Sequence, residues 1–195
     1  MTKPVITIIV AALKPQWGIG YKGKMPWRLK QEIKYFKQVT SHTSDPTKTN
    51  AVIMGRKTWD SIPPRFRPLP DRVNVVLSRS FKPEKVDCHT YHADSLESGL
   101  QLLADEPVHR IFIIGGAELY NQAIHDARVT NLLITEIEAD EPVEMDTFLK
   151  FNLDQEWTKR PKQDLQDFID NDQVSIPDDI KEGIFTYNCT LWTRK

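Results

Sequence analysis

Five short apolar runs are separated by helical patterns, and that alternation constrains the fold more than any other feature of the chain. The runs are residues 5–12 (VITIIVAA), 51–54 (AVIM), 73–77 (VNVVL), 110–114 (RIFII) and 129–137 (VTNLLITEI). They are rich in β-branched residues and are short enough to be buried strands. Between them lie helical spacings. Residues 28–39 carry Leu29, Ile33 and Phe36 on one stripe, and GRKTW opens a second helix after residue 54. Residues 94–104 form a third, with Asp94 or Ser95 as N-cap, and residues 117–124 a fourth. Strands joined through single helices pair in parallel by crossovers, which gives an α/β sheet covered on both faces. The C-terminal end differs. Phe185, Tyr187, Cys189 and Leu191 alternate with Thr186, Asn188, Thr190 and Trp192. A period of two predicts an antiparallel edge strand, with residues 157–159 in its partner. The expected fold is α/β: a single domain over 1–195 with a mostly parallel central sheet, an antiparallel C-terminal edge strand and flanking helices.

Two segments read as surface excursions: 40–49, which is polar, and 161–183, which holds seven Asp or Glu residues and little apolar periodicity. The length of 195 residues fits one domain with one sizeable core. With 26 basic and 27 acidic residues there is no electrostatic footprint for nucleic acid. The most apolar stretch, VITIIVAAL, is about half the length of a membrane span, and no small-residue cleavage site follows it. Cys88 and Cys189 are too few for a disulfide framework and match no metal spacing, as expected of reduced cytoplasmic thiols. The five histidines form no ligand pair, so no metal site is expected. No apolar stripe is left unassigned, and a monomer is the expectation.

In a parallel sheet, ligands bind at the carboxyl ends of the strands. Four loops fall there. WGIGYKGKMPW follows the first run, GRKTW the second, SRS the third and GGAELY the fourth. Three of the four offer basic groups or helix-start amides, which phosphate oxygens need. Gly18 to Lys24 fits GxxxxGK, but Met25 then stands where a magnesium-binding hydroxyl is required, so nucleotide hydrolysis is excluded. Gly18, Gly20 and Gly23 also spell GxGxxG, yet Met-Pro-Trp follows and not a helix. These glycines fit a mobile loop closing over a ligand. Glu32 shares a helical face with Leu29, Ile33 and Phe36. From the helix alone it reads more as a solvated edge residue than as a functional one. Met25, Trp27, Phe36 and the Ile62-Pro63 turn would supply the apolar walls of a pocket for a flat heterocycle. There a carboxylate would accept two adjacent N–H donors.

Several motifs then arrive in a fixed order over residues 4–193: IVAA (9–12), GIG (18–20), MPW (25–27), the helical acid Glu32, and MGRKTWDSIP (54–63). RPLPDRVNVVLSRS (67–80), FIIGGAELY (112–120) and LLITEI (132–137) complete the set. The chain resembles the dihydrofolate reductases, and its PWRL loop and long insertions are most similar to the fungal members. The resemblance implies hydride transfer from NADPH to C6 of 7,8-dihydrofolate, with protonation of N5. The product is tetrahydrofolate, which supports one-carbon metabolism, and such enzymes are antifolate targets. Glu32 would hold the pteridine, helped by Thr135, with Trp27 anchoring a water and proton delivery passing through water. Ile9, Val10, Met25, Ile33, Phe36, Ser61, Ile62, Phe66, Leu69, Ile114 and Tyr120 would line the pterin, benzoyl and nicotinamide slots. Arg72 would pair with the substrate's glutamate carboxylate.

For the cofactor, the resemblance places Ala11, Ile19 and Gly20 at the nicotinamide, with Gly23 and Lys24 in the same loop. Gly55, Lys57, Thr58, Gly115, Gly116, Ala117, Glu118 and Leu119 would take the pyrophosphate and nearby ribose. Arg56, Leu77, Ser78 and Arg79 would surround the adenosine 2′-phosphate, which favours NADPH over NADH. Cis peptides are implied at Gly115-Gly116 and before Pro68. Phe66 and Lys24 depart from residues frequent in the family. No thymidylate synthase domain follows, which implies the monofunctional form. Two other readings remain: the related pyrimidine reductase of riboflavin synthesis, which lacks the MPW-to-acid arrangement, and a nucleotide-binding module that consumes no cofactor.

Overall fold

The run at residues 5–13 becomes the middle of the sheet because, Thr7 apart, its side chains are apolar. Ile8 and Ala12 are fully buried, and Ile9 and Val10 nearly so. The computed structural model describes residues 3–195. Its elements in order begin with β1 (Val5–Leu13), β2 (Gly18–Gly20), α1 (Lys30–Ser41), β3 (Thr49–Gly55) and α2 (Arg56–Ser61). A 3-10 turn (Pro64–Phe66) leads to β4 (Arg72–Leu77), β5 (Glu84–Lys85), β6 (Thr90–Ala93) and α3 (Leu96–Leu103). Then come β7 (Val108–Ile113), α4 (Ala117–Ala123), β8 (Val129–Ala139), β9 (Thr147–Phe148) and α5 (Leu153–Glu156). The chain closes with β10 (Trp157–Lys159), α6 (Lys162–Ile169), β11 (Ile180–Glu182) and β12 (Phe185–Arg194).

The strand order is β10-β12-β8-β1-β7-β3-β4-β6-β5. From β8 to β6 every neighbour is parallel, as the helical crossovers require. β12 then lies antiparallel along the outer side of β8, with Cys189 opposite Thr135. The short strands β10 and β11 pair with the far side of β12. Residues 157–159 are therefore the expected partner.

Side-chain alternation along the strands divides the interior. On one face Ile9, Val52, Met54, Phe112 and Leu133 pack against Tyr35 and Val39 of α1 and Leu165 and Ile169 of α6. On the other face Ile8, Val10, Ile53 and Ile113 pack against Leu96 and Leu103 of α3 and Leu119 and Tyr120 of α4. Helix α3 begins with a capping box. Ser95 Oγ accepts from Ser98 N at 3.1 Å, and Ser98 Oγ accepts from Ser95 N at 3.1 Å. Ser95 is thus the cap of the two candidates.

Three expectations need correction. Helix α1 starts at Lys30, not at residue 28, and its buried face is Tyr35, Val39 and Thr40. Ile33 stands out of the core at 50 % exposure, and Phe36 is half-buried. The segment 161–183 is no mere excursion. Leu165 and Ile169, one helical turn apart on α6, are buried with Val174, Ile176 and Ile180. Dense acids on its outer side masked that spacing. Nor is the glycine-spaced segment a free loop throughout. Gly18–Gly20 is a strand held between β1 and β9, and a Cβ on Gly18 would sit 2.7 Å from Met145. Only Gly23, at φ 78°, uses the backbone freedom of glycine.

Candidate active site

The carboxyl ends of β1, β3, β7 and β8 open on one side of the sheet, and α1 lies across it with Glu32 in its first turn. Thr135 of β8, in register with Ala11 of β1, donates from Oγ1 to Glu32 Oε1 at 3.5 Å. No cation pairs with Glu32 among the described residues. Burial is the main reason its carboxyl is pushed up to about 7; the Thr135 hydrogen bond pulls it down, and the charge of Glu182 pushes it further up. A carboxyl kept in that range holds a proton or gives it up near neutral pH. Cys189 Sγ lies 3.9 Å from Thr135 Oγ1, and burial pushes that thiol up to about 12. Tyr35, Tyr120 and Tyr187 are likewise raised by burial first, so none of these groups competes for the acid's role.

The apolar walls are present. Met25, Ile33 and Phe66 are three of the five exposed large hydrophobics among the described residues, at 64 %, 50 % and 53 %. Phe36, Ile62, Leu69 and Ile114 are half-buried and packed on the α1-side core. Apolar side chains left open beside a half-buried acid fit a planar ligand better than water. Trp27 is buried and meets Phe185 edge-on, with ring centroids 6.0 Å apart. Tyr120 reaches across the strand ends, and its hydroxyl donates to Ile9 O at 2.8 Å. Two assigned wall residues sit differently. Val10 points to the α3–α4 face, because neighbours on a strand alternate, so only its backbone faces the site. Ser61 Oγ donates to Thr58 O at 2.6 Å, so its hydroxyl hydrogen is held by its own helix.

Arg72 is 3 % exposed, and no side-chain carboxylate lies within ion-pair distance of it among the described residues. Its Nε donates to Pro70 O at 2.8 Å and its Nη1 to Thr40 Oγ1 at 2.8 Å. Thr40 Oγ1 in turn donates to Phe36 O at 2.7 Å. Burial lowers the Arg72 pKa. The charge of Asp71 opposes that shift without forming an ion pair, and a buried guanidinium bonded only to neutral oxygens is suited to an incoming carboxylate.

The anion-suited loops converge as well. Gly55 N donates to Gly115 O at 2.8 Å, and a Cβ on Gly116 would sit 3.5 Å from Thr58 Oγ1. The Gly115-Gly116 and Arg67-Pro68 bonds are cis, as expected, and so is Lys14-Pro15. Lys57 is exposed at the start of α2, with Arg56 beside it 3.9 Å from Asp60. Arg79 pairs with Glu118 at 2.9 Å, both ends open to solvent. Ser78 and Ser80 share a hydrogen bond at 3.0 Å. Close backbone approach at Gly55, Gly115 and Gly116, flanked by Arg56, Lys57 and Arg79, fits a dinucleotide with a pyrophosphate and a further phosphate. Leu77 and Ala117 are half-buried beside these loops, and Leu119 is buried beneath them. Ala11 and Ile19 are half-buried near the end of β1, Gly20 is buried and Lys24 is exposed.

Two features of this region went unforeseen. Phe81 stacks on His92 at 4.0 Å, and Arg56 lies over the Phe81 ring at 5.3 Å; the aromatic after SRS is the available signal. Glu182 faces the first turn of α1, and no sequence pattern links residues so far apart.

Comparison with known proteins agrees with this geometry. The family model for dihydrofolate reductase matches residues 5–176. The dihydrofolate reductase of Candida albicans is 62 % identical over 197 residues, covering 100 % of both chains. That of Saccharomyces cerevisiae is 41 % identical over 204 residues, covering 96 % of this chain and 95 % of the other. Among solved structures, Schistosoma mansoni dihydrofolate reductase aligns with a TM-score of 0.76 at 32 % identity, over 98 % of this chain and 99 % of that one. The fold and site define a reductase of the nucleotide-binding α/β class. Within that class, the chain belongs to the dihydrofolate reductase family, with fungal members among its relatives.

Proposed function

We propose that the cleft beside Glu32 is where this NADPH-dependent enzyme reduces 7,8-dihydrofolate to 5,6,7,8-tetrahydrofolate. The observation that carries the reading is Glu32 itself: a half-buried, cation-free carboxyl raised to about 7, held by Thr135 and opening on apolar walls.

Glu32 accepts hydrogen bonds from the amino group and ring nitrogen of the pterin, and Thr135 keeps it oriented. Near neutral pH the same carboxyl holds a proton, which reaches N5 through water beside Trp27. Met25, Ile33, Phe36, Ile62, Phe66, Leu69 and Ile114 exclude bulk water from the ring faces. Arg72 binds the substrate's glutamate carboxylate as its missing counter-ion, for which its planar fork is suited.

NADPH, when bound, supplies the hydride. Gly55, Lys57, Thr58, Gly115 and Gly116 would hold its pyrophosphate, and Arg56, Ser78 and Arg79 its 2′-phosphate. Ala11, Ile19, Gly20 and Tyr120 would orient the nicotinamide end. Residues 1–195 act as one domain and as a monomer in the cytoplasm, and antifolates compete for the Glu32 pocket. No helix among the described residues is long and apolar enough to cross a membrane.

The test is direct: mix protein, NADPH and dihydrofolate and follow cofactor absorbance. Oxidation that depends on dihydrofolate is expected. A rate equal to the protein-free background would remove the reductase assignment.

A further inference from the structure

Helix α1 begins without a cap of its own. Its N-cap residue is Leu29, whose side chain accepts nothing. The first-turn amides, which have no partner within the helix, are met from the far end of the chain. Glu182 Oε1 accepts from Lys30 N at 2.9 Å and Glu182 Oε2 from Gln31 N at 3.3 Å, across 152 and 151 residues of sequence. Tyr187 of β12 donates its hydroxyl to the same carboxylate. Glu182 ends β11 opposite Phe185, across the turn at Gly183 (φ 62°). Phe185 packs on Trp27, just before the helix. The β11–β12 hairpin thus grips α1 one residue before Glu32.

We propose that Glu182 is a positioning residue for the reaction: its carboxylate fixes the first turn of α1, and hence Glu32, against Thr135, and it sets the charge that Glu32 faces. The inference rests on the reading of Glu32 as the pterin-holding acid. A bare helix N-terminus would favour a carboxylate in its first turn. Here Glu182 takes the amides of Lys30 and Gln31 in that turn and adds a negative charge, so that help is offset. The groups set against Glu32 are Tyr35 of its own helix, Thr135 of β8, Tyr120 of α4, Glu182 of β11, and Tyr187 and Cys189 of β12. Among these, Glu182 is the only other carboxylate. Its charge acts in the same direction as burial to raise Glu32.

The experiment is carbon-13 NMR of the glutamate side-chain carboxyls in the free protein, titrated with pH. The Glu32 signal is the one missing from Glu32→Gln. The Glu182→Gln variant keeps an oxygen to accept from the helix and loses the charge. Its Glu32 midpoint should fall by about half a pH unit or more. Glu182→Ala should do the same and raise KM for dihydrofolate several-fold, with KM for NADPH unchanged. Should Glu182→Ala fail to fold, Tyr187→Phe carries the kinetic arm and should raise the same KM by a smaller factor. An unmoved midpoint in Glu182→Gln overturns the proposal, as does a rise in both KM values together. The titration needs no substrate, so it stands apart from any failure of the reductase reading, which would appear as absent NADPH oxidation.

Discussion

Thr135 Oγ1 lies 3.5 Å from Glu32 Oε1, which links the middle of the sheet to the first turn of α1. Thr135 is paired on both sides, with Ala11 of β1 and Cys189 of β12, so its backbone is held in the middle of the sheet. The hydrogen bond stabilises the ionised acid. Thr135→Val keeps the shape and removes the donor. It should raise the Glu32 pKa further and cost about 1 kcal/mol in kcat/KM for dihydrofolate. A pH-rate profile unchanged in position and height would count against this contact.

Glu32 also affects stability. Its folded pKa of about 7 lies above the ordinary value of 4.5, so the folded state binds more protons between these values. Stability from this group is therefore full below about pH 4.5 and declines as pH rises toward 7. Replacing the acid with a neutral residue should recover up to about 3 kcal/mol above pH 7 and almost nothing near pH 4. Thermal melts of Glu32→Gln across pH check this. The expected variant is more stable in alkali and nearly inactive, and an equal Tm gain at all pH values would contradict the burial argument.

Turnover should carry the same signature. If protonated Glu32 feeds N5, the chemical step slows as pH rises through about 7. Single-turnover rates measured from pH 5 to 9 test the sign; a rate that climbs with pH would refute the proton route.

Arg72 has its own consequence. Its guanidinium is buried among neutral acceptors, and a substrate carboxylate would complete it. Arg72→Gln should raise KM for dihydrofolate about 10–100-fold, while a substrate lacking the glutamate tail loses nothing. Equal losses for both substrates would place the tail elsewhere.

Among the described residues Arg79 pairs with Glu118 alone, at the surface, so its removal should move stability by less than about 0.5 kcal/mol. Arg79→Ala should still narrow the preference for NADPH over NADH by about tenfold. An unchanged ratio would show that the 2′-phosphate binds away from Arg79.

Much of this was legible in the chain itself. Parallel strands are readable because runs such as residues 5–12 are almost wholly apolar, and the loops that follow those runs meet on one side of the sheet. The period of two at Phe185 to Trp192 marks an antiparallel strand partnered by residues 157–159, but nothing in it shows that the other side of this strand pairs with β8. The start of α1 was misjudged by two residues, since its cap is Glu182 and no local residue marks the boundary. Segment 161–183 hid two buried helix positions under acidic neighbours. The family resemblance puts Val10 in the wall, whereas strand alternation turns its side chain to the opposite face. Long-range pairings of this kind leave no trace in local spacing.

The central claim is that Glu32 holds the pterin and not the cofactor, and Glu32→Ala tests it most directly. NADPH affinity, followed by binding titration, should match that of the unmodified protein within about twofold. Single-turnover reduction of dihydrofolate should fall by about two orders of magnitude or more. Reduction at an undiminished rate would contradict the account.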